Sequence, residues 1–168
     1  GVTFSFNGAG TPSLTTPLQI TVQTPDGKTV IYSRIDGDIY RVNIDGSHRQ
    51  RLTNGNRYVE FRLSPKDKHG STDGPVLSPD GTRVAYIALK NGVPNLHVIA
   101  LDGRSERQLT SRESACGRPR WSPDGKRIAF VSFVDRYPQL FVISAEGGEP
   151  RQLTKIDGAV YWLNWRPR

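Results

Sequence analysis

Between residues 127 and 132 the chain alternates. Ile128, Phe130 and Ser132 point one way, Ala129 and Val131 the other. Both sets are largely apolar, which is the pattern of a strand packed between neighbours on both faces. A short strand ending at Trp121 and the turn Ser122-Pro123-Asp124-Gly125 come before it. A strand at 139–144 and a last one at 150–154 come after it. Each turn residue has a task. Proline presets φ at the first central position, aspartate bonds the backbone two residues on, and glycine takes the positive-φ position without steric cost. A hairpin follows from these residues, and Glu146-Gly147-Gly148 signals a second.

The same pattern is written twice more upstream. One copy, residues 77–110, begins LSPDGTRVAY and ends RQLT; the other, residues 23–53, begins QTPDGKTVIY and ends RLT. A long period with four strand-like segments in each copy predicts β-propeller blades. The expected fold class is therefore all-β, with blades of four antiparallel strands. Three blades are expected to be complete, at about 18–53, 58–110 and 117–154, with the first strand of a fourth beginning within 159–168. Residues 1–17 match no repeat and read as an extension with one short strand at 2–6. In the first blade the strands are expected at 18–23, 29–33, 38–43 and 49–53.

The turn prolines Pro25, Pro79 and Pro123 are spaced 54 and then 44 residues apart, so the second blade holds an insertion. Measured from Thr53, its inner strand is expected at 58–63, followed by an inserted loop at 64–78. The competing assignment puts that strand at 75–77, a short segment for crossing a blade.

The strings WSPDGKRIAF, LFVI and GGEPRQLT resemble the repeat of the TolB-type β-propellers, and the resemblance extends over residues 18–168. It implies a bacterial, periplasmic or cell-surface propeller that binds protein partners, often through its central channel. The same repeat occurs in the propellers of prolyl-oligopeptidase-like peptidases and of some polysaccharide lyases. The expected function is thus a non-enzymatic module recognising a protein or peptide, periplasmic or secreted. The alternative is the propeller portion of a larger enzyme.

Composition adds limits. No apolar run approaches the length of a membrane span. Cys116 is the single cysteine, which excludes an intramolecular disulfide and a cysteine-rich metal site. The chain starts at Gly1 and contains no methionine, which suggests a processed or artificially set start, so a missing signal peptide says nothing about secretion. Net charge is +7 and arginine outnumbers lysine 17 to 6. Such a balance suits acidic proteins or an anionic polysaccharide. The lack of any basic run longer than two residues weighs against nucleic acid.

Motifs for chemistry are sparse. There is no G-x-S-x-G elbow and no H-E-x-x-H, and His48, His69 and His97 are far apart. Neither a cofactor nor a metal is expected. Two binding candidates stand out. Aligned on their ends, the inner strands place Glu60, Arg62, Arg118, Arg120 and Asn164 on one face, together with Trp162. Charges beside a propeller axis must be paired or hydrated. Glu60 then pairs with Arg118 or Arg120, or the surplus arginines make a basic channel wall for an acidic segment or an anionic sugar. The second candidate is the inserted loop, with Lys66, Lys68, His69 and Asp73.

Closed propellers need roughly 4–8 blades, and three do not close. Two three-blade arcs related by a two-fold axis make a six-blade ring, so a homodimer is expected. A monomer whose residues 2–6 pair near 159–165, and a piece of a longer propeller, are the alternatives.

Overall fold

The computed structural model describes residues 20–33, 38–55, 74–90, 92–111, 115–160 and 163–165. These form three antiparallel sheets of four strands. The first holds β1 (Ile20–Gln23), β2 (Thr29–Ser33), β3 (Ile39–Asn43) and β4 (Gln50–Arg51). The second holds β5 (Val76–Leu77), β6 (Arg83–Lys90), β7 (Val93–Ala100) and β8 (Glu106–Gln108). The third holds β9 (Cys116–Trp121), β10 (Arg127–Val134), β11 (Tyr137–Ser144) and β12 (Arg151–Gln152). In every sheet the strands lie in chain order.

The first turn of each sheet is built alike. Thr24, Ser78 and Ser122 each donate their hydroxyl to the aspartate two residues on, at 2.5 Å in all three. The same aspartates accept the amides of Lys28, Thr82 and Lys126 at 3.0 Å. Gly27, Gly81 and Gly125 follow at φ 70°, 71° and 66°, the left-handed region that glycine enters freely. These bonds hold the carboxyls of Asp26, Asp80 and Asp124 below the ordinary value of 3.8, the side-chain hydroxyl being the main cause.

A second repeated device closes each sheet on its outer side. The hydroxyls of Thr53, Thr110 and Thr154 accept the amides of Ile39, Leu96 and Leu140 at 3.0, 3.0 and 2.9 Å. They donate in turn to Asp38, Asn95 and Gln139 at 2.7, 2.9 and 2.9 Å. The threonine that ends each RLT or QLT string thus clasps the third strand, at its start in the first sheet and at its fourth residue in the other two. The outer strands are shorter than expected because these threonines bond through side chains, beyond the ladder.

Each middle hairpin pairs two rings across the strands: Tyr32 with Tyr40, Tyr86 with His97, Phe130 with Phe141. The centroids are 5.6, 5.5 and 5.7 Å apart, the range in which offset ring pairs are favourable. The second sheet is buried on both faces. Val84, Tyr86, Ala88 and Ile99 pack with Ile31, Ile39 and Leu52 of the first sheet. Ala85, Ile87, Leu96 and Val98 pack with Ile128, Phe130, Phe141 and Ile143 of the third. Fully burying one such side chain contributes roughly 1.5–3 kcal/mol, so the doubly apolar alternation of β6 and β10 is what stacks the sheets.

The second sheet corrects one expectation. The place beside β6 is taken by Val76–Leu77, with Leu77 opposite Val84 and Val76 opposite Ala85. The strand expected at 58–63 lies outside the described residues, and the inserted stretch ends before Val76 rather than at 78. A two-residue strand suffices because the next sheet supports it: Trp121 Nε1 donates to Val76 O at 2.9 Å. The extension strand at 2–6 also lies outside the described residues. In 159–165 the described residues form no strand. The segment is nevertheless tied to the third sheet, with Val160 N donating to Pro138 O at 2.8 Å and Trp165 Nε1 to Arg120 O at 3.0 Å.

Candidate functional site

The strand directions divide the sheets into two ends. At one end lie the tight first turns and the Asp-Gly or Glu-Gly second turns. At the other lie the tips of the middle hairpins and the connections from outer strand to next inner strand, because β9 starts opposite the end of β10. Connections of this second kind vary in length, and the long one, between β4 and β5, is where the insertion falls.

A cleft of about 580 Å³ opens at this end of the third sheet. One wall is the hairpin tip, Val134 to Tyr137, with Asp135 at φ 55° making the reversal. The other wall is Lys155, Ile156 and Asp157, which follow β12. Gln139 joins the walls: buried, it donates Nε2 to Ile156 O at 3.2 Å and to Gly158 O at 2.8 Å, and its Oε1 accepts the Thr154 hydroxyl. Tyr137 and Ile156 are 39% and 54% exposed, unusual for side chains of their size, and Asp135, Arg136, Lys155 and Asp157 are exposed around them. The sequence reading missed this cleft. Its one legible signal was Asp-Arg-Tyr at a hairpin tip where a turn needs no aromatic residue.

Of the channel residues, Arg118, Arg120 and Asn164 are described; Glu60 and Arg62 lie outside the described residues. The structure separates Arg118 from Arg120. Arg120 stands opposite Ala129 and Gly117 opposite Val131, so Arg118 and Pro119 together face Phe130, in a β-bulge. Pro119 has no N–H to give the ladder, and Arg118 takes φ 58°, uncommon for any residue but glycine. The alternation expected over 118–121 therefore breaks, and Arg118 falls out of phase with Arg120 and is buried. Arg120 is half-buried, with Nη1 bonded to Pro119 O at 2.8 Å. Trp165 lies against Arg120 O through its indole, and exposed Asn164 is its neighbour in the chain, with Oδ1 accepting Trp165 N at 3.0 Å. The Trp165 indole thus ties the segment that carries Asn164 to the backbone of Arg120, and Arg118 stands apart from Arg120. The inserted-loop candidates Lys66, Lys68, His69 and Asp73 lie outside the described residues.

The remaining chemistry-bearing groups are occupied structurally. Cys116 is buried with Sγ 3.6 Å from the Thr110 hydroxyl. His97 packs on Tyr86, with Nδ1 3.2 Å from Glu106 Oε1, which also accepts the Tyr86 hydroxyl. Among the described residues no group of three or more His, Cys, Asp or Glu side chains gathers as metal ligands would. No described helix is long and apolar enough to cross a membrane.

Four-stranded antiparallel sheets, stacked face to face with their first strands in contact, are β-propeller blades. The chain belongs to the TolB β-propeller domain family, whose model matches residues 62–168. It is similar to the Tol-Pal system protein TolB of Anaeromyxobacter dehalogenans, 38% identical over 65 residues, covering 39% of this chain and 15% of that protein. It is 28% identical over 94 residues to tricorn protease homolog 1 of Streptomyces coelicolor, covering 56% of this chain and 8% of that one. Among solved structures, a putative TolB from Agrobacterium tumefaciens superposes with a TM-score of 0.62 at 26% identity, covering 82% of this chain and 49% of that one. The chain thus spans well under two thirds of these proteins.

Proposed function

We propose that the chain acts as a non-enzymatic binding module, in the bacterial envelope or outside the cell, that recognises a protein or peptide. The observation that carries this reading is the cleft at the hairpin-tip end. Its exposed Tyr137 and Ile156 offer apolar anchors, and two acids and two bases beside them offer orientation rather than bulk charge. Arg120, which pairs with Ala129 near the first-turn end of the third sheet, and Asn164, whose segment Trp165 ties to it, offer a separate second contact for an acidic segment. The likeness to a Tol-Pal system protein supports a protein partner and a periplasmic setting.

The test is capture from envelope extract on the immobilised chain, followed by titration of the captured partner against variants. Tyr137→Ala and Arg120→Ala each weaken binding by about tenfold or more if these are anchors. Unchanged affinity in both, with the fold intact by circular dichroism, defeats the reading. A second reading, the propeller portion of a larger peptidase, is favoured by the likeness to a tricorn protease homologue. In that case a captured peptide binds with low affinity, and the variants change peptide entry rather than partner retention.

A further inference from the structure

The contacts between neighbouring sheets repeat, and they change in step from one seam to the next. Three sets of positions matter: Thr29, Arg83 and Arg127 open the second strands; Gln50, Arg107 and Arg151 occupy the outer strands; Asp45, Asp102 and Glu146 begin the second turns. At the seam between first and second sheets the donor seen at these positions, Gln50, is uncharged. Gln50 Nε2 donates to Asp102 O at 3.1 Å, and the Asp102 carboxylate stays within its own turn, accepting Arg104 N at 2.9 Å. At the seam between second and third sheets both donors are arginines, and they converge on one glutamate. Arg83 Nη1 reaches Glu146 Oε1 at 2.8 Å. Arg107 Nη1 reaches Glu146 O at 2.7 Å and Oε2 at 3.3 Å. The longer side chain lets the carboxylate leave its turn and cross the seam, which the aspartate at the same position does not do.

The outward face of the third sheet carries arginines at both positions again. Arg127 and Arg151 are exposed, and among the described residues the Arg151 guanidinium has no hydrogen bond or ion pair. Arg127 is already placed as Arg83 is: its guanidinium stands over the Trp165 ring at 5.9 Å, as that of Arg83 stands over Trp121 at 4.9 Å. The indole bonds repeat too, Trp121 to Val76 O and Trp165 to Arg120 O. We propose that the outward face of the third sheet docks a further blade of this repeat that carries glutamate, not aspartate, at the start of its second turn, held between Arg127 and Arg151. A second copy of this chain would offer Asp45 at that place. Its carboxylate is short and accepts Ser47 N at 2.9 Å, so it matches the uncharged seam instead.

The test adds one repeat to the full chain by copying residues 125–168 after Arg168, which puts a copy of Glu146 44 positions on. Denaturant titration then compares Glu, Asp, Gln and Lys at that copied position. Exposed pairs are weak, so the expected advantage of Glu over Asp and over Gln is roughly two- to fivefold in the unfolding equilibrium. The advantage disappears in Arg127→Ala/Arg151→Ala, and the Lys version recovers with Arg127→Glu. Equal stability of the Glu and Gln versions, or an advantage that survives loss of both arginines, overturns the proposal. If the extended chain does not fold, the existing seam carries the same test, since Glu146→Asp must lose as much as Glu146→Gln. A fully stable Glu146→Asp variant overturns the proposal. So does a stable dimer of the unmodified chain in light scattering that Asp45→Lys dissolves.

Discussion

Gly81 and Gly125 hold the same place in successive repeats with nearly the same backbone, φ 71° and 66°. Alanine at either position pays the same conformational cost, roughly 1–2 kcal/mol for a non-glycine residue in the left-handed region. Their surroundings differ. A Cβ on Gly125 would lie 3.7 Å from Pro79 Cδ, an ordinary contact. A Cβ on Gly81 would lie 2.9 Å from Pro25 Cδ and 3.4 Å from Cγ. Pro25 sits in the first turn of the neighbouring sheet, and its ring cannot rotate away, so one turn must move against the other. Overpacking of this kind costs about 1–3 kcal/mol. Gly81→Ala is therefore expected to lose at least about 1 kcal/mol more than Gly125→Ala, measured by urea unfolding with an unchanged m-value. Adding Pro25→Ala removes the clashing atoms and should bring the penalty at Gly81 down to that at Gly125. Equal losses at the two glycines, or a Gly81 penalty indifferent to Pro25, would refute the reasoning.

Three further outcomes follow from the repeated bonds. Thr110→Val keeps the shape but removes the acceptor of the buried Leu96 amide and a donor to Asn95 Oδ1, so it should cost about 1–3 kcal/mol, while Thr110→Ser costs clearly less; chemical denaturation distinguishes them. Trp121→Phe removes the indole donor to Val76 O and should cost about 1–2 kcal/mol, with hydrogen exchange in β5 rising more than in β2 and β3. Asp26, Asp80 and Asp124 have carboxyls lowered in the folded chain, chiefly by their hydroxyl partners. Their contribution is complete above the unfolded value of 3.8 and fades as pH falls through the folded values. The triple Asn variant should therefore be less stable than the parent at neutral pH and show a flatter acid limb in melting temperature against pH. A parallel acid limb would count against it.

Much of the fold was legible because it is local chemistry. The Pro-Asp-Gly turns name their own geometry, and Asp26, Asp80 and Asp124 make the bonds two residues on that their position requires. The doubly apolar alternation at Ile128 to Val131 requires a partner on each face, and the stacked sheets supply the one against β6. The candidate site was legible only in fragments. Arg120 and Asn164 were assigned to one face by counting in twos, which holds only while a strand stays regular, and the described residues of 159–165 form no strand. The count also fails at Arg118, where Pro119 withdraws a donor and the bulge shifts the phase. The inner strand of the second sheet was misplaced for a related reason: spacing from Thr53 measured chain length, whereas pairing with Val84 and the indole of Trp121 decide where the strand lies.

By itself, then, the amino-acid sequence determined the class of fold, the repeat and its turns, since each depends on residues within a few positions of one another. Tertiary structure alone decided three things: the cleft between the tip at Asp135 and the segment at Lys155, the meeting of Arg83 and Arg107 at Glu146, and the docking of Trp165 on Arg120. These join residues from about twenty to more than sixty positions apart. Their partners are chosen by how one sheet packs on the next, and no local pattern of polar and apolar positions records that choice.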